Sequence, residues 1–304
     1  MNKGPKLPDF LIIGTAKAGT TALFRALSQH PQIFCSANKE PRFFAFPGER
    51  PPFTCPGNRF NAKTIVTEEA DYLRLFSRCP SGAKAGEASA VYLSSASAPE
   101  TVARYVPGVR LIAILRHPVQ RGYSQWLHLR QEGVEKLGDF EAAWAAEDKR
   151  MALGWSPLWQ YRNRGYYGRH LSRWLEFFPR KQLLILFYDD WLERPVKILD
   201  KIWRHLGVEP LAEPVITREN VSSRQPRWGW LHHRMMEDNF LRRWAQRTLP
   251  LAARDAITSP IKKINLAPGP KLDPLVRARL APAFHEDLHI VESLTNRDLS
   301  DWRS

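Results

Sequence analysis

Cysteine is scarce: Cys35, Cys55 and Cys79 are the three present, an odd number with no Cys-x-x-Cys pair. That argues against a disulfide framework and against a cysteine zinc site, and leaves reduced thiols as the expected state. Long apolar runs are missing too. The longest, residues 10–13, 111–115 and 183–188, fall far short of the roughly 18 residues a membrane-spanning helix needs. Behind Lys3 and Lys6 only four apolar residues precede Gly14 and Lys17, fewer than the apolar stretch of about 7 to 15 in a secretory signal. A cytoplasmic address is the expectation. No internal repeat, low-complexity tract or convincing linker interrupts the 304 residues, so one large domain is expected although the length would allow two. Acidic residues are in deficit, 31 against 45 Lys and Arg, and the net charge of +14 selects for anionic partners without saying which.

What is present is an alternation of short apolar runs and helical spacings. Residues 9–13, bounded by Pro8 and Gly14, read as a buried strand of a parallel sheet. Ala22, Leu23, Ala26 and Leu27 then repeat at helical spacing until His30-Pro31 ends the pattern. A second unit runs from residues 109–115 through Arg116-His117-Pro118 into a helix carrying Val119, Tyr123, Trp126 and Leu127. Residues 165–178 read as an amphipathic helix, 182–187 as a further central strand, 191–206 as one helix and 273–294 as another. Residues 41–60, with five prolines, read as a loop over a site. The fold class expected is α/β: a P-loop-like three-layer sandwich, a central parallel sheet with helices on both faces. The α/β core should occupy residues 8–208 and a basic helical region residues 216–304.

The first strand opens into Gly14-Thr-Ala-Lys-Ala-Gly-Thr-Thr21, a small-residue loop entering a helix, where unpaired amides and the helix dipole favour a phosphate. Lys17 precedes Gly19, so the Gly-Lys-[Ser/Thr] order of nucleotide-triphosphate loops is absent and an ATPase or kinase is disfavoured. Arg116 follows the second strand and Ser124 lies eight residues on, two helical turns away. A guanidinium fork and a hydroxyl so placed can hold one phosphate at the carboxyl end of the sheet.

Together these segments, with Lys39-Glu-Pro-Arg-Phe-Phe44 and Leu186-Phe-Tyr-Asp-Asp190, resemble sulfotransferases that use 3′-phosphoadenosine-5′-phosphosulfate (PAPS). The Lys39 to Phe44 segment and Gly165-Tyr-Tyr-Gly-Arg-His-Leu171 look closer to the heparan-sulfate-type branch and its bacterial relatives than to the cytosolic phenol and steroid branch. The resemblance implies in-line sulfonate transfer to a hydroxyl or amine without a metal, leaving adenosine 3′,5′-bisphosphate (PAP). It assigns Ala16, Lys17, Ala18, Gly19, Thr20 and Thr21 to the 5′-phosphate side of the donor, with Lys17 at the bridging oxygen. Arg116 and Ser124 go to the 3′-phosphate, Tyr167 to the adenine, and Arg224 or Arg227 to a basic loop closing the 3′-phosphate site. Glu40 becomes the general base, and Glu87 and His117 are placed near the acceptor. One departure stands out: Ala88 occupies a place where many relatives carry a lysine after the glutamate. The acceptor implied is a glycan, lipid or secondary metabolite, not a nucleic acid.

Two other patterns compete. His285-Glu286-Asp-Leu-His289 fits the zinc-hydrolase spacing His-Glu-x-x-His, but Leu288 and Val291 suit an ordinary amphipathic helix, and neither glycine nor histidine follows. Arg218, Arg224, Arg227, Arg234, Arg242, Arg243, Arg247 and Arg254, interleaved with Trp228, Trp230 and Trp244, could form a stripe binding nucleic acid or docking peripherally on an anionic membrane. The stripe carries no recognised nucleic-acid motif, and an accessory membrane or acceptor-channel role is the stronger expectation.

Overall fold

The computed structural model describes residues 6–48, 51, 53–56, 64–216, 224–226 and 266–304. Five strands, β1 (Phe10–Gly14), β2 (Ile33–Cys35), β3 (Lys84–Ala88), β4 (Arg110–Leu115) and β5 (Leu183–Phe187), form one sheet in the order β2-β3-β1-β4-β5. Every neighbouring pair is parallel. From β1 the chain moves outward to β2 and back to β3, then crosses to β4 and β5, so the order reverses direction at the β1/β4 boundary. A crevice at the carboxyl ends of strands flanking such a reversal is where open α/β sheets bind ligands.

The strands are apolar on both faces because both are covered, and their two-residue period divides them between two cores. Leu11 and Ile13 of β1, with Leu111, Ala113 and Leu115 of β4, face one layer. Phe10 and Ile12, with Ile112 and Ile114, face the other. On the second side lie α1 (Thr20–Leu27) and α9 (Pro195–Leu206), contributing Leu23, Leu27, Ile198, Ile202 and Trp203. The first side carries α2 (Glu69–Arg74), α3 (Ala98–Tyr105), α4 (Pro118–Gln131), α5 (Phe140–Ala145), α6 (Glu147–Ala152) and α7 (Tyr167–Phe177). The three-layer α/β architecture expected from the alternation is the one observed.

Prolines decide two boundaries that periodicity misplaces. The helix expected over residues 191–206 is two helices, α8 (Tyr188–Glu193) and α9, because the ring of Pro195 ends the first and starts the second. The helix expected over 273–294 is α10 (Pro274–Leu280), a 3₁₀ turn at Ala281–Phe284 containing Pro282, and α11 (His285–Thr295). α11 lies on α7 closely enough that a Cβ on Gly168 would sit 2.4 Å from the carbonyl of Asp287. Asp287 in turn accepts the amides of Gly168 and Arg169 at 2.7 and 2.8 Å, filling donors at the start of α7. Among the described residues no helix is long and apolar enough to cross a membrane.

His285 and His289 are each engaged with Arg303. Nε2 of His285 is 3.0 Å from the carbonyl of Arg303, while Nδ1 of His289 accepts from the Arg303 guanidinium at 3.2 Å. Among the described residues no three His, Cys, Asp or Glu side chains are grouped to hold a metal ion. The arginine stripe from Arg227 to Arg254, with its tryptophans, and Arg218 lie outside the described residues. Arg224 begins β6 (Arg224–Pro226), which pairs antiparallel with β7 (Leu266–Pro268) and lies beside α4.

Candidate active site

At the reversal point β1 runs into the Gly14–Thr21 segment, and the backbone turns through two left-handed residues, Lys17 at φ 70° and Gly19 at φ 89°. Glycine meets the second requirement without strain, and a Cβ there would also press on the Tyr188 ring at 3.1 Å. A lysine in this conformation is unusual, and such residues persist where the surroundings over-determine them. Part of that constraint is visible: Nη1 of Arg116 donates to the Lys17 carbonyl at 3.0 Å. The first α1 amide with an intrahelical acceptor is Leu23, bonded to Gly19, so the amides of Thr20, Thr21 and Ala22 lack one.

These amides open on a cavity of about 560 Å³. Its wall includes Ala16, Lys17, Gly19, Thr20 and Thr21 from the loop, Glu40, Arg116, Tyr188 from the end of β5, and Gln125 and His128 of α4. Arg25, Arg42 and Arg164 bring its cations to five, with Glu40 as the one carboxylate among the described lining residues. Such a balance favours an anionic ligand. Burial lowers the Lys17 pKa to about 8, and Arg116 adds to the shift while Glu40 opposes it. Lys17 is therefore a cation at neutral pH that is close to releasing its proton.

Glu40 is held between two cations. Its Oε1 accepts from Lys39 Nζ at 2.9 Å and its Oε2 from Arg42 at 3.4 Å. Burial alone would raise its pKa, but the Lys39 and Arg42 charges outweigh burial and hold it below the ordinary value. The segment is pinned from behind: the Lys39 carbonyl accepts the Ala88 amide at 3.0 Å, and the Arg42 amide donates to Ser89 Oγ at 2.9 Å. Phe43 and Phe44, buried against Tyr72 and Tyr92, anchor the turn that follows. Among the described residues of the 41–60 region, Arg42, Phe46 and Phe53 line the cavity.

Arg116 is stacked 4.9 Å from the Tyr188 ring centroid, and its Nε is buried without a partner. Ser124 Oγ is likewise buried and unpartnered, one residue before Gln125 on the cavity wall. Burial of such donors without an acceptor is costly, and an anion would satisfy both.

Five positions named from sequence are not among the cavity-lining residues: Ser124, Ala18, which is buried in the core on the α1 side with its amide donating to the Thr15 carbonyl at 3.3 Å, and Tyr167, His117 and Glu87. Tyr167 is fully buried, and its hydroxyl donates to the Arg116 carbonyl at 2.8 Å; Tyr188, with Phe46 and Phe53, supplies the aromatic rings on the cavity instead. His117 points away from the cavity, its ring 6.1 Å from that of Trp302, and burial with Arg277 nearby lowers its pKa to about 4. Arg116 and His117 lie between β4 and α4, before the helix begins at Pro118, and their side chains lead to different surroundings. Glu87 is wholly buried in β3, its pKa raised to about 8 by burial, with Tyr72 3.5 Å from Oε1. It does not line the cavity. Ala88, beside it, is also buried.

His128, Gln125, Arg42 and Arg164 were not singled out from sequence. For His128 a signal existed: it lies four residues after Ser124, one helical turn along the same face. Burial lowers its pKa to about 4, and the Lys17 charge adds to this, so it is a neutral imidazole on the cavity wall.

A parallel sheet whose reversal point offers a lysine and helix amides, next to an ionised carboxylate, forms a cavity suited to an anionic ligand. Comparison with known proteins makes the class specific: the model of the Sulfotransferase family matches residues 8–213, and the chain belongs to that family. It is 31% identical over 215 residues to human bifunctional heparan sulfate N-deacetylase/N-sulfotransferase 2 and 34% identical over 214 residues to the human form 3. These alignments cover 67% of this chain but 22% and 23% of those proteins, so the chain spans less than a quarter of the curated relatives it matches. A sulfotransferase from Alicyclobacillus acidocaldarius superposes with a TM-score of 0.76 at 28% identity, covering 98% of this chain and 100% of that one.

Proposed function

We propose that this sulfotransferase takes its sulfonate from PAPS and passes it to a hydroxyl or amine of a glycan, lipid or secondary-metabolite acceptor. The observation that carries the reading is the joint presence of Lys17, the α1 amides and Glu40 on one cavity of about 560 Å³. The unpartnered Arg116 Nε and Ser124 Oγ support a second anionic group bound beyond the first, which is what a 3′-phosphate supplies.

Glu40 removes the acceptor proton as the acceptor oxygen or nitrogen bonds to sulfur. The bond between sulfur and the bridging phosphate oxygen breaks in line, and its electron pair stays on that oxygen. Lys17 and the Thr20 and Thr21 amides meet the negative charge that develops there. The proton ends on Glu40 and the products are sulfated acceptor and PAP. Arg116 and Ser124 would hold the 3′-phosphate and distinguish this donor from ATP, with the Arg224 to Arg227 region as its further closure. Nothing in this scheme calls on a metal.

The test is turnover of PAPS by the purified chain in chelator with a panel of amine-bearing glycans, phenols and aliphatic alcohols. The expected result is PAP released one for one with a sulfated acceptor at a rate the chelator does not change. Dependence on a divalent cation, or equal use of adenosine 5′-phosphosulfate lacking the 3′-phosphate, would contradict it.

A further inference from the structure

Arg164 has no part in the scheme above, yet it is the most deeply buried cation on the cavity wall, 2% exposed. It sits in the 3₁₀ turn Asn163–Gly165 that leads into α7. Its Nη2 donates to the carbonyl of Ala90 at 2.8 Å, and its Nε has no partner. Ala90 follows β3, the neighbour of β1 in the sheet, so the guanidinium is tied at the strand end adjoining the Lys17 loop.

Burying a guanidinium is costly unless an opposite charge or a full set of acceptors meets it. Arg164 has neither. The carboxylate of the cavity, Glu40, bonds to Lys39 and Arg42 and not to Arg164. Burial and then the nearby charge of Arg121 lower the Arg164 pKa to about 9, with Glu40 opposing, so it remains charged at neutral pH. Arg121 is also fully buried, with Nη2 donating to the carbonyls of Gln160 and Tyr161 and with Nε and Nη1 unpartnered, so an unpartnered nitrogen does not by itself set Arg164 apart; the difference is that Arg121 does not line the cavity and Arg164 does. Arg164 has one carbonyl acceptor and lines the cavity together with Glu40 and Ala90.

We propose that Arg164 grips the sulfonate during transfer, donating to its non-reacting oxygens so that sulfur stays in line between the bridging oxygen and the acceptor atom activated by Glu40. The proposal rests on the PAPS reading. A planar fork already fixed at one corner by Ala90 suits a trigonal group of oxygens, and it adds no mobile side chain to be ordered at the moment of reaction.

The test compares PAP with PAPS, which differ by the sulfonate alone, by calorimetry on wild type, Arg164→Met and Arg164→Lys, with turnover measured in parallel. The expected result for Arg164→Met is PAP affinity within about threefold of wild type, a PAPS-to-PAP affinity ratio reduced at least about tenfold, and kcat down about 10²- to 10³-fold. Arg164→Lys keeps the charge and the reach to Ala90 and recovers part of the ratio but not all of it, because it lacks the fork. If Arg164→Met proves too unstable to assay, Arg164→Lys alone decides: an unchanged PAPS-to-PAP ratio and kcat overturn the proposal. Parallel loss of PAP and PAPS affinity in either variant overturns it too, since that is the mark of a residue that only shapes the wall. Failure of the wild-type protein to bind PAP would refute the donor reading itself, a separate outcome.

Discussion

Replacing Glu40 by glutamine is expected to leave PAP affinity within about threefold of wild type while turnover falls about 10²- to 10⁴-fold, the range that a positioned general base contributes. Glutamine preserves the shape of the side chain and can still accept from Lys39, whose Nζ lies 2.9 Å from Oε1, so the Lys39–Arg42 segment should keep its position. What disappears is the ability to take a proton. The flanking cations that hold the Glu40 pKa below its ordinary value keep the base ionised through neutral and mildly acid pH. Loss of activity on acidification should therefore begin only below the usual carboxylate range, and the glutamine variant should lack that acid limb. A low-pKa carboxylate is a weak base, but it need only accept the proton as the acceptor bonds to sulfur. Unchanged turnover in Glu40→Gln would remove Glu40 from the mechanism and turn attention to His128, the neutral imidazole on the same wall.

Lys17→Ala is expected to act on the other end of the reacting bond, lowering kcat about 10²- to 10³-fold, as loss of a preorganised donor to a developing oxyanion does. It should weaken PAP binding as well, because in the proposed mode Lys17 would face the product phosphate. The pH profile separates the charge of Lys17 from its bulk. In the free enzyme burial brings its pKa to about 8, so protonated Lys17 is present below that pH and lost above it. kcat/KM, which reports the free enzyme, should decline as pH rises through about 8. The donor's negative charge raises the Lys17 pKa in the complex, so the corresponding decline in kcat lies at higher pH. Lys17→Ala should abolish the decline in kcat/KM near pH 8. Persistence of that decline in the variant would show that another group titrates there.

The fold was legible where one physical signal dominated. Residues 10–13, 111–115 and 183–187 are apolar at every position because helices cover both sheet faces, and that continuous pattern is visible without a structure. β2 escaped notice because Ile33–Cys35 is a three-residue edge strand, too short for a pattern. Helix ends near Pro195 and Pro282 were misjudged because the apolar spacing continues across each proline while the backbone hydrogen bonding cannot.

The site was legible where chemistry sits in one contiguous stretch. The Lys17 loop and the Lys39-Glu-Pro-Arg segment each carry their own signal, and both line the cavity. Residues whose place depends on which way a turn points were harder. His117 is adjacent to Arg116 in sequence but faces the Trp302 side, and Tyr167 supports Arg116 from behind its carbonyl instead of entering the cavity. Arg164 could not be found this way: in sequence it is one of many arginines in a chain of net charge +14, and what distinguishes it is burial on the cavity wall. Arg227 and the arginine stripe beyond it lie outside the described residues.

The central claim is that the cavity at the end of β1 and β4 binds a 3′-phosphorylated adenine nucleotide through Arg116. It is tested most directly by calorimetric titration of PAP, AMP and ATP into wild-type protein and Arg116→Ala, in chelator. The account predicts metal-free binding of PAP at least about tenfold tighter than AMP or ATP, since a charge-assisted contact to phosphate contributes about 1.5–3 kcal/mol. It further predicts that Arg116→Ala loses that preference. Equal binding of PAP, AMP and ATP by the wild type, or a preference that survives in Arg116→Ala, would contradict it.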